Sequence, residues 1–416
     1  MRNIAYLLSL VLVFSIPWEN AITLGGFGTL ARVAGILAAG AWLGSILISG
    51  RIRKLNPFLL LFFLFALWNV VSLYWTVDAR ETNVRIITYI QLALLAWIFW
   101  DLFTTQKTLM AALQAYILGG YVVIAATISN YLAGQGISDY ASSRYAGAGM
   151  NADDLALILI LGLPVAWHLA TRMRNGILGL LLRLVNYAFI PFALFAILLT
   201  ATRTALFAVV PVVLYILGTV SQLKPFVRIL IFVVLIGALF GLQPFIPQAT
   251  FERLSTIPAS IAAGDLGGRV ALWRASFQAF IQHPLIGVGS GALNSPFQLG
   301  GFAHNTFLSI LAELGIIGFI LFVVLLGVVL KEAIFQPKGY SYLWLSVLAV
   351  WVIGVFTLTW EFRKPTWLFL SLIVISSNLL DLSGEPFRRS SLVQSMGGSS
   401  QLATLDSSGQ PHVLKS

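Results

Sequence analysis

Three side chains stand where a polar group is costly or oddly placed. Arg203, in "LLTATRTALFAVV", lies between two apolar runs with little room for a solvated loop. At a bilayer centre such a charge costs about 2.5 to 3.5 kcal/mol, so a guanidinium held there faces a cavity, a partner or a substrate. Arg269 opens "GGRVALWRASFQAFIQHP", directly after Gly267 and Gly268. A guanidinium suits phosphate because its planar fork donates two parallel hydrogen bonds and stays charged. His304, in "GGFAHNTFLSILAELGIIGF", stands at the mouth of a long apolar run. Imidazole titrates near neutrality and can serve as a general base toward a hydroxyl. A helix-end histidine bonded to a carbonyl fits the spacing equally well.

Glu313 lies inside the same run. On a continuous helix, at about 100° and 1.5 Å per residue, His304 and Glu313 are half a turn apart and roughly 14 Å apart along the axis. They therefore form no dyad. Glu313 reads instead as a paired or protonated carboxyl holding helices together, with Gly315 and Gly318 permitting close approach.

Other residues are weaker candidates. Arg85, Arg144 and Arg274 could join a site on the same face, and Glu313 could assist it. For Arg80, Arg253 and Lys364 the preferred reading is anchoring of helix ends or pairing with Asp78, Glu81, Glu252 and Glu361, whereas Arg363 is undecided. Gly287, Gly289 and Gly291 can expose backbone N–H groups to an anion, although such a loop is more often only a turn. Asn151, Asp153 and Asp154 read as the N-cap and first turn of the next helix.

The elements that must position these residues follow from composition. The chain has 416 residues, 59% hydrophobic and only 10% charged, against about 25% charged in soluble domains. Apolar runs long enough to cross a hydrocarbon core recur throughout. They predict an all-α polytopic membrane protein with about twelve spans, at 3–18, 30–49, 57–75, 84–103, 108–132, 152–171, 177–201, 203–220, 228–243, 303–330, 341–360 and 365–381. The expected membrane domain is 1–381, with an outer loop at about 243–302 carrying a helix that starts after Gly268, stops before Pro284 and lies at the membrane surface. Residues 382–416 read as a disordered cytoplasmic tail, because their Ser-, Gly- and Gln-rich composition cannot bury a core.

Charge gives orientation. Fifteen basic residues but only five acids fall on one set of loops, so the whole net charge of +10 lies on that side. By the positive-inside rule that side is the cytoplasm, both termini are cytoplasmic, and Arg203, Arg269 and His304 face outward. A sequence pI of 9.9 does not imply nucleic acid, because no soluble basic domain is present to bind it. The absence of cysteine removes thiolate catalysis and disulfides. The four histidines, at 168, 283, 304 and 412, have no zinc-motif spacing, and no metal or cofactor is expected. No P-loop or fixed-period repeat is present, which disfavours an ATP-driven pump.

The stretches "TATRTAL", "GGRVALWRASFQAFIQHPLIGVGSG" and "AHNTFLSILAELGIIG", with "GAGMNADDLAL" as a weaker element, resemble the O-antigen ligase and polymerase superfamily of bacterial membrane glycosyltransferases. The likeness is densest over about 145–330. It implies a periplasmic active site in the bacterial inner membrane and a glycan donor carried on undecaprenyl pyrophosphate. The acceptor it implies is a sugar hydroxyl, on lipid A-core in a ligase or on a growing polysaccharide in a polymerase. It also implies transfer without ATP or metal. On that resemblance Arg203 and Arg269 hold the pyrophosphate and His304 is the essential histidine. Inversion at the anomeric carbon, and a lipid groove open sideways to the membrane, are further expectations. A secondary transporter of a small anion is the alternative of a different class, and a non-catalytic envelope scaffold is another.

Overall fold

The computed structural model describes residues 1–24, 28–139, 142–172, 176–221, 225–262, 264, 268–295 and 298–382. Residues 383–416 of the expected tail, and Gly267, lie outside the described residues. Among the described residues fifteen α-helices follow one another: α1 (Arg2–Ser15), α2 (Leu30–Ser49), α3 (Pro57–Val71), α4 (Ala79–Leu102), α5 (Gln106–Leu132), α6 (Ala152–Arg172), α7 (Ile177–Leu199), α8 (Arg203–Val220), α9 (Pro225–Leu242), α10 (Gln248–Ser255), α11 (Ile257–Ala262), α12 (Arg269–Gln282), α13 (Thr306–Ile334), α14 (Lys338–Val355) and α15 (Lys364–Leu382). The strands among the described residues form two antiparallel hairpins, β1 (Thr23–Leu24) with β2 (Gly28–Thr29) and β3 (Ile137–Asp139) with β4 (Ser142–Arg144).

Each predicted span coincides with one of these helices. Among the described residues nine helices are long and apolar enough to cross a membrane, and two shorter apolar helices lie at Arg2–Trp18 and Lys364–Leu380. The fold is thus all-α and polytopic. Local chemistry sets many of the ends. Asn56 caps α3 by accepting from Leu59 N–H, with Pro57 at the first helical position. Thr105 and Thr108 form a capping box at α5. Gly50 closes α2 in the left-handed conformation.

The sheath and the centre differ in burial. α6 has 89% of its central window buried inside the protein, against 22–56% for the other long helices. It packs against α5, α7, α8 and α14.

Two helices depart from the expected course, and both departures shape the site. The apolar run at 341–360 predicts a helix to Trp360, yet α14 stops at Val355. The segment 356–361 is non-helical because side chains from other elements take its polar groups. Asn305 Nδ2 donates to Phe356 O (3.2 Å), Thr306 Oγ1 to Leu358 O (3.0 Å) and Trp367 Nε1 to Glu361 O (2.7 Å), while Trp360 N–H donates to Thr306 Oγ1 (2.8 Å). Composition carries no signal of this exchange.

The second departure is in α13, which is broken at Gly315 (φ 65°, ψ −169°), a backbone region essentially restricted to glycine. Residues 284–289 insert into the break. Val288 N–H donates to Ala312 O (3.0 Å), Gly289 N–H to Glu313 O (2.9 Å) and Ile316 N–H to Pro284 O (2.9 Å), while Trp68 Nε1 donates to Leu314 O (3.0 Å). Irregular backbone survives at membrane depth only where protein satisfies it in this way. Gly315 is therefore a break point, not the helix-contact position expected of it. A Cβ there would lie 2.3 Å from Leu285 O.

Candidate functional site

Asp153 is the residue around which the site is built. It sits in the first turn of α6, where Asn151 Oδ1 accepts from its N–H at 2.8 Å. The capping role expected of Asn151 is thus present. The carboxylate of Asp153 does something else: its Oδ2 pairs with Arg269 Nη2 at 2.9 Å, and its Oδ1 pairs with Arg144 Nη2. Arg144 is delivered by β4 and is buried, with Nε donating to Thr200 O (2.8 Å) and Nη2 to Thr202 Oγ1 (3.1 Å). Arg269 is delivered by the start of α12, after Gly268 in the left-handed conformation (φ 78°). Burial pulls the Arg269 pKa below its usual value, and Asp153 opposes that pull.

Arg203 is the first residue of α8 and reaches toward α10 and α11. Its Nε donates to Arg253 O (3.3 Å), Nη1 to Ser260 Oγ (3.1 Å) and Nη2 to Thr256 Oγ1 (2.6 Å). It has no carboxylate partner among the described residues, yet it is close enough to bear electrostatically on Arg269. Arg144 and Arg269 therefore meet at the Asp153 carboxylate, with Arg203 close enough to act on Arg269. Such a concentration of guanidinium groups is suited to a multiply charged anion.

His304 precedes α13 and is not part of it. Asn305 is the N-cap, accepting from Leu308 N–H at 3.0 Å, and His304 has a left-handed backbone (φ 50°), uncommon for a residue with a side chain. The axial distance and half-turn expected between His304 and Glu313 do not apply, because one end lies outside the helix. The two still form no dyad. Trp273, one turn along α12 from Arg269, donates Nε1 to His304 O (3.3 Å). Trp273 thus turns toward the site, while Phe277 on the same helix is exposed. Burial, and then the nearby charge of Arg269, lower the His304 pKa. The imidazole is neutral at pH 7 and its buried Nδ1 has no hydrogen-bond partner among the described residues.

Beside it, Asp154 accepts from Trp360 Nε1 (2.7 Å) and pairs with Arg363 Nη2 (3.3 Å). Asp153 and Asp154 are the residues that sequence reasoning undervalued. Their position in a first turn has an ordinary capping explanation, and nothing local reveals which arginines the fold brings to them.

The remaining candidates divide. Arg274 is exposed on α12. Arg85 and Glu313 lie in a separate buried cluster: Arg85 Nη1 is 3.2 Å from Glu361 Oε1 and 3.9 Å from Glu313 Oε2, with its guanidinium 3.7 Å over the Phe362 ring. Ser309 Oγ donates to Glu361 Oε1 at 3.0 Å. Burial pushes the Glu361 pKa up. The glycine loop receives a carboxyl group belonging to the protein: Gly291 N–H donates to Glu313 Oε2 at 2.7 Å. Gly289 N–H is also used, on Glu313 O. The open anion cradle considered for these glycines is therefore not formed, and they clamp the inserted loop to α13. Lys364 pairs with Glu19 and not with the acids named for it. No group of three or more acidic or histidine side chains that could hold a metal occurs among the described residues.

An apolar cavity of about 270 Å³ lies next to Arg203, between α7, α8 and α10, lined by Leu194, Leu198, Leu206, Val209 and Leu254, with Thr202 at its polar edge. Thr202 also contacts Asp153 Oδ1 (3.0 Å), so the cavity and the arginine cluster meet at one residue.

The geometry thus joins a cluster of arginines, a histidine with a lowered pKa and an apolar cavity in a polytopic helical protein. No curated protein matches the chain. Residues 188–323 match the family model described as O-Antigen ligase, and this stretch, which holds Arg203, Arg269 and His304, is thus similar to that family.

Proposed function

We propose that the protein transfers a glycan from undecaprenyl pyrophosphate to an acceptor sugar hydroxyl at the periplasmic face of the inner membrane, as a ligase acting on lipid A-core. The observation that carries this reading is the Arg144–Asp153–Arg269 bridge with Arg203 beside it and a neutral His304 alongside. Pyrophosphate is a good leaving group, so stabilising the charge that departs matters more than protonating it. Arg269 and Arg203 take the two phosphates, and Asp153 and Arg144 hold Arg269 in place. The apolar cavity beside Thr202 receives the first isoprene units.

His304 accepts the proton of the acceptor hydroxyl as its oxygen forms the new bond to the anomeric carbon. The bond from that carbon to the pyrophosphate oxygen breaks, and the leaving electron pair stays on the phosphate. A single in-line displacement inverts the anomeric configuration. Binding of the dianionic donor raises the basicity of His304, because it offsets the arginine charge that depresses it. These steps require no metal.

The test uses purified full-length protein with lipid-linked glycan and acceptor. His304→Ala is expected to abolish transfer while the donor is still retained, and unchanged turnover would remove His304 as base. In the host, deletion of the gene is expected to strand long glycan on the lipid carrier. Accumulation of single repeat units would assign the same chemistry to a polymerase. No change in either pool would overturn glycan transfer altogether.

A further inference from the structure

A second lateral groove shares no helix with the one beside Arg203. It is a cavity of about 290 Å³ between α1, α2, α4 and α15, with apolar walls that include Leu12, Gly35, Ile36, Ala39, Leu95 and Ile98. Its polar lining is Arg32, Gln91 and Lys364. Arg32 is the third residue of α2 and Lys364 the first of α15, whereas Ile36 and Ala39 lie further along α2, about 6 and 10 Å from Arg32 at the helical rise. Charge is therefore confined to one end and hydrocarbon runs away from it, which is the layout of a lipid with its head at the outer face.

The charges at that end specify the head. Lys364 is paired with Glu19. Arg32 is exposed, and with the Gln91 amide turned to present its oxygen, Gln91 accepts from Arg32 Nε (3.3 Å) and Nη2 (3.2 Å). Gln91 orients the guanidinium without neutralising it. Two cations against one acid leave a positive mouth, complementary to phosphate and not to a zwitterionic head.

The groove also abuts the site already described. Lys364 follows Arg363, whose Nη2 pairs with Asp154 Oδ2 at 3.3 Å, and Asp154 is among the charges acting on His304. A transfer between two membrane-anchored substrates needs two lipid seats, and the cavity beside Arg203 accounts for one. We propose that the α1–α2–α4–α15 groove seats the phosphorylated lipid that anchors the acceptor, delivering its sugar to His304 from the side opposite the donor. This rests on the glycan-transfer reading.

The experiment is native mass spectrometry of the full-length protein, in an Arg203→Ala background that removes donor-side retention. The probes are monophosphoryl lipid A and undecaprenyl phosphate, with phosphatidylglycerol as the bulk lipid. Two variants probe the groove. Gly35→Leu fills it, and the first added carbon meets Leu12 at an ordinary 3.8 Å. Arg32→Ala removes an exposed charge and keeps the test open should the first variant fail to fold. Each is expected to cut retention of one of the two phosphorylated probes about tenfold, Arg32→Ala by losing one charged contact and Gly35→Leu by occupying the groove, with phosphatidylglycerol unchanged. Unchanged retention of both probes would overturn the proposal, and so would an equal loss of phosphatidylglycerol, which would make the groove a seat for bulk lipid. Unchanged glycan pools after deletion of the gene would sink the glycan-transfer reading without altering these binding values.

Discussion

Gly315→Ala tests the broken helix directly, because the perturbation is a single methyl group in a backbone that no other residue tolerates. At φ 65° and ψ −169° an alanine stores about 1–3 kcal/mol of strain. Its Cβ would also stand 2.3 Å from Leu285 O and 2.5 Å from Ile286 N, so the inserted loop must withdraw. Withdrawal breaks the bonds from Ile316 N–H to Pro284 O and from Gly289 N–H to Glu313 O, both 2.9 Å, each contributing about 0.5–1.5 kcal/mol. The expected loss is about 2–6 kcal/mol, with no compensation nearby. Gly327 is the internal control. It lies in the same helix, a Cβ there meets nothing within 4 Å, and Gly327→Ala should be neutral or stabilising by up to about 1 kcal/mol. The assay is thermal unfolding of the purified variants in one detergent, followed by size-exclusion recovery after heating. If Gly315→Ala melts with the wild type, or no lower than Gly327→Ala, the break is not held by the loop and the account of it is wrong.

Other predictions concern the charged clusters. His304 has its folded pKa lowered by burial and by Arg269; the unfolded chain therefore binds the proton first, and this contribution to stability is present above about pH 6.5 and is lost as pH falls toward the lower folded value. The acid limb of the transfer rate should accordingly lie below pH 6.5, and Arg269→Gln should move it upward while raising the donor KM; an unmoved limb would disconnect Arg269 from His304. Asp153→Asn keeps the shape of the bridge but removes the carboxylate charge that Arg269 pairs with, and breaking such a pair costs about 3–5 kcal/mol, read as lower yield and melting temperature. Arg85→Ala should cost a similar amount by stranding Glu313 and Glu361, and adding Glu361→Gln should restore part of it, because one of the two buried carboxylates is then gone. A double variant no more stable than Arg85→Ala would refute that balance.

The membrane helices were legible in the sequence because each depends on apolar residues within about twenty positions of one another. The same is true of α12, which runs from Arg269 to Gln282 between Gly268 and Pro284, where local backbone chemistry sets both ends. His304 could be singled out as a titratable group beside an apolar run, and Arg203 as a charge between two of them. The partners of these residues could not be read this way. Arg269 meets Asp153 across 116 positions and Arg85 meets Glu361 across 276, and pairing at such distances leaves no periodic or compositional trace. Gly315 was visible as a glycine, but whether a glycine in a long apolar helix is a contact point or a break depends on what reaches it. Here Leu285 and its neighbours do. The sequence by itself determined a set of helices and a few costly polar residues on one face; only the tertiary structure decided which of those residues share a site, because buried charges are stabilised by partners that the fold, and not the local chain, supplies.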